Sequence, residues 1–541
     1  MSERRVATAF LLSDIRARFD VPEAEVIEIA KAKMKRLCSS ATELHFRLYK
    51  KSFDARKKPD ILQVCSVLAT ADEPIFFEEK RFLAAGVRPF AATAPEIRCG
   101  EERLSAPPLV VGMGPAGLLA ALLLAEWGYH PIIIDRGDDV ATRAALTARF
   151  RDLGVLDTES NIQFGAGGAG TFSDGKLVTR VNDPLCNYVL DRLVSFGAPA
   201  DILVKAKPHV GTDILRVVVD AILLRIQALG GQVLYRTRLD DFTEHADCVR
   251  AITSKGEILA GAMVLAIGHS ARDTFEVVMS HGLAAEPKPF SVGVRIEHLR
   301  EDIDRALYGE HAGHPALGAG EYALSDTTGE RGVYTFCMCP GGEVVPAASE
   351  VGGVVVNGMS YHARNGRNSN AAVAVTVMPT DVGGSVRAGI DFQRALERAA
   401  YQAGGGEYVA PICTVGDFLR GYRATAPSRI QPTYGGGRVR VCDLNTVLPP
   451  FVGKTLAAGL RSFDKKLRGY AVPDAVFTGV ETRTSSPLRI LRGEARTALC
   501  HDRIYPAGEG AGYAGGITSA ALDGLKTALA IMARFAPYQK S

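Results

Sequence analysis

The chain has 541 residues and ten cysteines, from Cys38 to Cys500, but no CxxC pair. Thiols so scattered exclude a disulfide framework and point to a reduced, cytoplasmic protein. No His/Cys/Asp/Glu spacing of a metal site is present. A GxSxG elbow and a P-loop are missing too. Charge of one sign is also lacking: 63 basic against 60 acidic residues leave +3. Such a balance gives no global field toward nucleic acid. Basic runs occur locally, at Lys31, Lys33, Lys35 and Arg36 and at Arg56, Lys57 and Lys58. They read as a helix end and a turn facing water, with a docking patch for an acidic partner as the competing reading. No aromatics alternate with them, so a nucleic-acid strip is not expected. The charged start, MSERRVATAF, is unlike a secretory signal. One long apolar run, residues 106–127, approaches the roughly 20 residues of a membrane span. It is broken by Pro107, Pro108, Gly112, Gly114, Pro115 and Gly117, so a strand, a tight turn and a buried helix describe it better, and no membrane partner is expected. There is no internal repeat and no low-complexity tract.

What the chain does have is glycine: 56 residues, about a tenth of the total against an average near 7%. Glycine without low complexity suggests backbone held close to a ligand. Residues 1–104 read as a small α/β domain. A strand is expected over 7–12, and Asp20 followed by Glu23 reads as a capping box with Pro22 in the first turn. Val21, Ala24, Ile27, Ala30 and Met34 then recur at helical spacing. Further strands are expected at 44–49 and 61–69, and residues 91–108 read as a Pro-containing linker. Residues 210–272 read as helix, strand, strand. From about 288 to 480 strand signals dominate, such as 354–356 and 372–377, and 505–534 is again strand, turn and helix.

LVVGMGPAGLLAALLLAEWGYHPIIIDRG is the most specific stretch in the first half. Gly112, Gly114 and Gly117 form GxGxxG directly after an apolar strand, a small-apolar helix follows, and the next strand ends in Asp135. Gly112 permits the turn, Gly114 leaves a pyrophosphate unobstructed, and Gly117 lets helix and sheet pack closely. Pro115 and Ala116 open the helix, whose free N–H groups and dipole favour phosphate. Asp135 can accept both ribose hydroxyls of an adenosine, and Arg136 fits beside phosphate or adenine. A lone GxGxxG can be a mere glycine turn, but here strand, helix and acid agree on a dinucleotide.

Two features favour FAD over NAD. IYPAGEGAGYAGGITSAALDGLKTA places a second turn, with Gly508, Glu509, Gly510, Gly512, Gly515 and Gly516, before a helix expected from Ile517 to Met532. A helix starting there aims its positive end at a bound group, which in FAD folds is the flavin edge that becomes anionic on reduction. The competing reading is a C-terminal helix that only completes the sheet. The second feature is AMVLAIGHSAR, an apolar strand ending at Gly268. No second GxGxxG in the right context marks a separate nicotinamide domain.

The segments NIQFGAGGAGTFSDGKLVTR, KPHVGTD, LAIGHSARDTF, VYTFCMCPGG, NGMSYHARNGRNSN and ETRTSSPLRI resemble a family of bacterial FAD-dependent dehydrogenases, from about Lys50 to the C-terminus. The resemblance implies a glutathione-reductase-type FAD domain, an inserted second domain and a small N-terminal domain, and no particular substrate. Asp135 stands where related flavoproteins often have Glu. The expected fold is thus α/β: a Rossmann-type FAD-binding domain (105–287 and 481–541), an inserted mixed α+β substrate domain (288–480), and the N-terminal α/β domain (1–104).

Within FGAGGAGTFSDGK, Gly165, Gly167, Gly168 and Gly170 let backbone touch a cofactor, Thr171 and Ser173 can hydrogen-bond it, and Lys176 can place a positive charge near it. A purely structural glycine loop is the alternative. Cys337 and Cys339, on one strand, would face the same side. They read first as small buried side chains, and second as a redox pair. His209, His269 and His362 are candidate bases, each with a structural reading beside it. Arg364, Arg367 and Arg483 can clamp a carboxylate or pair between domains. Of these, Lys176, His362, Arg483, Cys337 and Cys339 are the catalytic candidates. The expected activity is FAD-dependent oxidation of a small organic substrate between the FAD and inserted domains. The alternatives are a monooxygenase or reductase using NAD(P)H, and a binding module with structural FAD. NAD(P)H or an external electron carrier is the candidate redox partner, and the oligomeric state is left open.

Overall fold

The computed structural model describes residues 4–38, 43–58 and 60–539; the first three residues of the charged N-terminal stretch lie outside them. The N-terminal unit is a four-stranded antiparallel sheet in the order His45–Asp54, Leu62–Glu78, Arg4–Arg18, Val87–Pro89. The helix Glu23–Lys35 lays Val26, Ala30 and Met34 into its core. The expected capping box does not form. The helix starts after Pro22 without a side-chain cap, and Asp20 is instead held by the Arg18 guanidinium at 2.6 Å. The first strand is also far longer than 7–12, because irregularities after Ala7 and Leu12 bend it without ending its pairing.

Five parallel strands form the central sheet, in the order Ile504–Pro506, Met263–Leu265, Leu109–Val111, Ile132–Ile134, Gln232–Leu234. Each spans three residues, and the inner three are buried throughout. That is the pattern of a parallel sheet covered on both faces. The helix Pro115–Glu126 is apolar all round, with Ala116 to Ala125 buried, because the helices Thr212–Ala228 and Ile517–Arg534 pack against it. Residues 210–272 hold more strands than expected. Between Gln232–Leu234 and Met263–Leu265 runs a three-stranded antiparallel sheet, Leu239–Glu244, Val249–Thr253 and Gly256–Ala260.

A seven-stranded sheet occupies the region between. Its order is Ser325–Asp326, Val333–Cys339, Asn368–Val377, Phe290–Leu299, Val476–Glu481, Ala410–Thr414, Val439–Val441, antiparallel except for the last pair. The helices Val386–Gly404 and Pro450–Lys466 pack on it. The strand expected at 354–356 begins only at Val356 and runs to Met359. The two chain crossings between this sheet and the parallel one pair antiparallel with each other, Ala285–Pro287 with Leu488–Ile490. This pairing fixes the seven-stranded sheet against the mouth of the glycine turns. Among the described residues no helix is long and apolar enough to cross a membrane.

Candidate functional site

The three glycines after Leu109–Val111 do different work. A Cβ on Gly112 (φ 104°) would lie 2.3 Å from the Ala266 carbonyl oxygen, and one on Gly117 would lie 1.9 Å from that of Gly112. Both positions are closed by backbone. A Cβ on Gly114 would find nothing nearer than the Gly168 Cα at 4.0 Å, so this glycine opens onto a cleft. The helix behind it has Pro115 first and no side-chain cap, leaving its N–H groups free.

The C-terminal turn meets the same cleft. The Gly508 N–H donates to the Asp523 carboxylate at 2.8 Å, and Arg492 holds that carboxylate at 2.7 Å. Gly515 and Gly516 face open space, and the helix Ile517–Arg534 also lacks a side-chain cap. A Cβ on Gly524 would come within 1.9 Å of the Ala116 carbonyl oxygen. The two helices that begin at the two turns therefore touch through this glycine.

One cleft is lined by Gly112, Gly114, Pro115, Ala116, Asp135, Gly168, Ser173, Lys176, Gly268, Gly508, Glu509, Gly516 and Ile517. Its cavity volume is about 190 Å³. Five residues expected to touch the cofactor do not line it; one is Gly165, whose N–H goes to Asp135. Gly117 is internal, as its packing requires. Gly167 donates its N–H to the Met113 carbonyl at 2.8 Å. Thr171 is buried beneath the loop. Arg136 lies over the Phe164 ring at 4.4 Å and is bound to Glu159 and Asp273; it lines a side recess beyond Asp135. Asp135 itself accepts the backbone N–H groups of Met113 (2.8 Å), Gly137 (2.9 Å) and Gly165 (2.8 Å). A carboxylate has about four acceptor positions, so one remains, not the pair expected for two ribose hydroxyls.

The opposite wall comes from the seven-stranded sheet and its loops: Phe336, Cys337, Cys339, Asn357, Glu481, Arg483 and Thr484. It is dense in buried ion pairs. Arg295 reaches Glu481 at 2.7 Å, Asn370 at 2.6 Å and the Cys337 carbonyl at 3.0 Å. Burial pushes the Glu481 carboxyl up, with Arg295 opposing. Arg483 is no free clamp, since Glu397 takes its guanidinium at 3.0 and 3.1 Å and takes Arg272 at 2.8 Å through both oxygens. Burial acting on Glu397 is outweighed by Arg483 and Arg272, which hold its carboxyl far below the usual range. Lys176 sits between Asp174 (2.9 Å) and Glu321 (3.3 Å), and Arg364 binds the same two carboxylates. Arg367 donates to the Arg429 carbonyl at 3.0 Å, away from the cleft.

Among the histidines only His269 lines the cleft. Burial, with Arg483 and Arg272 nearby, drives it down to about 3, so it is neutral. His362 gives Nδ1 to the Val210 carbonyl at 2.9 Å and stacks on His209 at 5.3 Å, outside the cleft. Cys337 and Cys339 do not alternate as on a regular strand: Cys337 has φ 41° and the pairing skips a residue between Phe336 and Cys339. The expected burial holds for Cys339, whose thiol it raises to about 11, which opposes a thiolate relay, but not for Cys337, which is exposed.

Residues 289–484 match the model of the family described as FAD-dependent protein, C-terminal domain-like. A Clostridium beijerinckii relative, printed as "Uncharacterized protein", is 45% identical over 498 residues, 90% of this chain and 92% of its own. The chain belongs to this FAD-dependent family. Its cofactor is FAD. The geometry of this FAD-dependent chain fits that group: Gly114, Gly268, Gly515 and Gly516 leave open the space that any Cβ would enter, and two uncapped helix starts face it. Solved structures similar to the FAD-dependent chain include CtdE in complex with FAD, 12% identical over 79% of this chain and 86% of that one, TM-score 0.32. Another is CmlS, a flavin-dependent halogenase, 13% identical over 78% and 56%, TM-score 0.34. Scores this low assign no reaction.

Phe336, Asn357, Glu481 and Thr484 lie within the segments VYTFCMCPGG, NGMSYHARNGRNSN and ETRTSSPLRI, but no spacing between those segments marks the four as one wall. Only the fold brings them to one wall.

Proposed function

We propose that the chain is an FAD-dependent oxidoreductase acting on a small organic substrate, held between a Rossmann-type unit (105–287 and 481–541) and an inserted unit (288–480). The observation that carries this is the convergence of the 112–117 and 508–516 turns, roughly 400 residues apart in sequence, on one cleft. FAD, when bound, supplies acceptance and return of a hydride or of single electrons. Gly114 and the helix start behind it take the diphosphate. Asp135 takes one ribose hydroxyl, and the recess by Arg136 takes the adenine. Gly508, Glu509, Gly516 and Ile517 face the ring end, where the helix dipole favours negative charge.

Phe336, Cys337 and Asn357 form the substrate wall. The cations reaching this wall are already matched by carboxylates, as with Lys176 and Arg483. The wall therefore suits a neutral group better than a carboxylate. Glu509, raised by burial to about 7 with Lys288 opposing, holds or releases a proton at its carboxyl near neutral pH.

The test is anaerobic: metabolites of neutral reacting group are screened for bleaching of the bound flavin. Bleaching by such a compound is the expected result. Rapid bleaching by NADPH alone favours the reductase or monooxygenase reading. No bleaching by any donor, with capture of a macromolecular partner through residues 1–104, favours the binding module.

A further inference from the structure

A second cavity lies where the segment after the strand His45–Asp54 meets the end of the strand Phe290–Leu299 and the end of the helix Pro450–Lys466. It encloses 910 Å³ and is built from three chain segments: 55–58, 298–307 and 465–472. Its volume falls within the range of roughly 300–1,000 Å³ for ligand sites, which favour such boundaries. Its charge is one-sided. Arg56, Lys58, Arg305, Lys465, Lys466 and Arg468 line it, against the single acid Asp302. Asp302 is itself engaged by Arg429 at 2.5 Å, and Arg56 by Asp54 at 2.5 Å. Among the described residues no carboxylate pairs with Arg305, Lys465 or Arg468.

The ordinary explanation is that basic residues complement helix C-termini. Arg305, Lys465 and Lys466 do stand in last helical turns. Lys58 also donates to the Ala306 carbonyl and Lys466 to that of Ser325. Each helix end carries only about half a negative charge, so two ends and one engaged carboxylate leave a clear positive excess in a chain whose total is +3. No exposed aromatic lines the groove, so it offers no platform for stacked bases.

We infer that this groove binds a small phosphate-bearing anion, its phosphates held by Arg305, Lys465 and Arg468. Guanidinium forks suit phosphate oxygens. This inference does not rest on the flavin chemistry.

The holoenzyme, with FAD bound, is titrated calorimetrically with ADP, with pyrophosphate and with sulfate at matched ionic strength. ADP and pyrophosphate are expected to bind, and sulfate not at all. The double variant Arg305→Glu with Arg468→Glu should weaken both at least tenfold while flavin absorbance and the thermal midpoint hold. If that variant does not fold, Lys465→Gln should still weaken binding about threefold. No binding of either probe at millimolar concentration overturns the proposal. So does binding accompanied by FAD release, or wild-type affinity in the variants.

Discussion

The two ends of the FAD cleft are built on opposite principles. At the 112–117 turn, the end proposed for the diphosphate, Gly114 faces open space and the helix from Pro115 offers backbone N–H groups. The facing wall is crowded with charge, yet its arginines are matched, Arg295 by Glu481 and Arg483 with Arg272 by Glu397. One end leaves backbone uncovered. The other uses charge to hold its own shape, because a buried ion with no partner is far costlier than a matched one.

Removing one partner from the matched wall should have the largest effect. Glu397→Ala leaves Arg483 buried without its carboxylate and Arg272 with Glu350 alone, and should cost about 3–5 kcal/mol of stability in denaturant unfolding. A loss below about 1 kcal/mol would put the pair in the class of surface bridges and break the contrast. At the other end, Gly114→Val should leave a folded but colourless protein, with FAD affinity down at least a hundredfold, because its side chain enters the cleft. Gly117→Val, whose Cβ would press on the Gly112 carbonyl, should not yield folded protein. A Gly114→Val protein that keeps its flavin would remove the diphosphate assignment.

A third, smaller effect concerns Glu509. Its folded carboxyl stands at about 7, above roughly 4.3 in an unfolded chain. The folded form therefore holds the extra proton between those values. Stability is full below the lower one and falls as pH rises through the higher. Glu509→Gln apoprotein should gain on wild type in thermal midpoint from pH 5 to pH 8; a constant difference would mean the carboxyl is not buried. Least of all, Cys337→Ser and Cys339→Ser should each leave flavin bleaching within about twofold. A hundredfold loss would restore a thiol relay.

The diphosphate end was legible in the sequence because its determinants are contiguous: a strand, three glycines with separate duties and a following acid. Even there, the three backbone N–H groups that occupy Asp135 were invisible, since Gly165 arrives from a loop 30 residues away. The C-terminal turn was legible from glycine density. The matched wall was not. Arg272 and Glu397 lie 125 residues apart, and pairing over such a distance leaves no spacing to read. Cys337 and Cys339 misled through the opposite fault, a short-range rule of alternation broken by a skipped residue. Near the N-terminus, Asp20 and Glu23 had the right spacing for a cap, but a nearer cation, Arg18, took the acid.

The contact of Gly524 with Ala116 has a consequence in time. The helix that starts at the first turn waits for a partner made roughly 400 residues later. At about 5–20 residues per second on the ribosome, that is on the order of 20–80 s. Until then the outer strand Ile504–Pro506 is absent from the sheet, and the nascent chain owns only half of its cofactor cradle. Capture of the flavin is thereby deferred to the last moments of synthesis or after release.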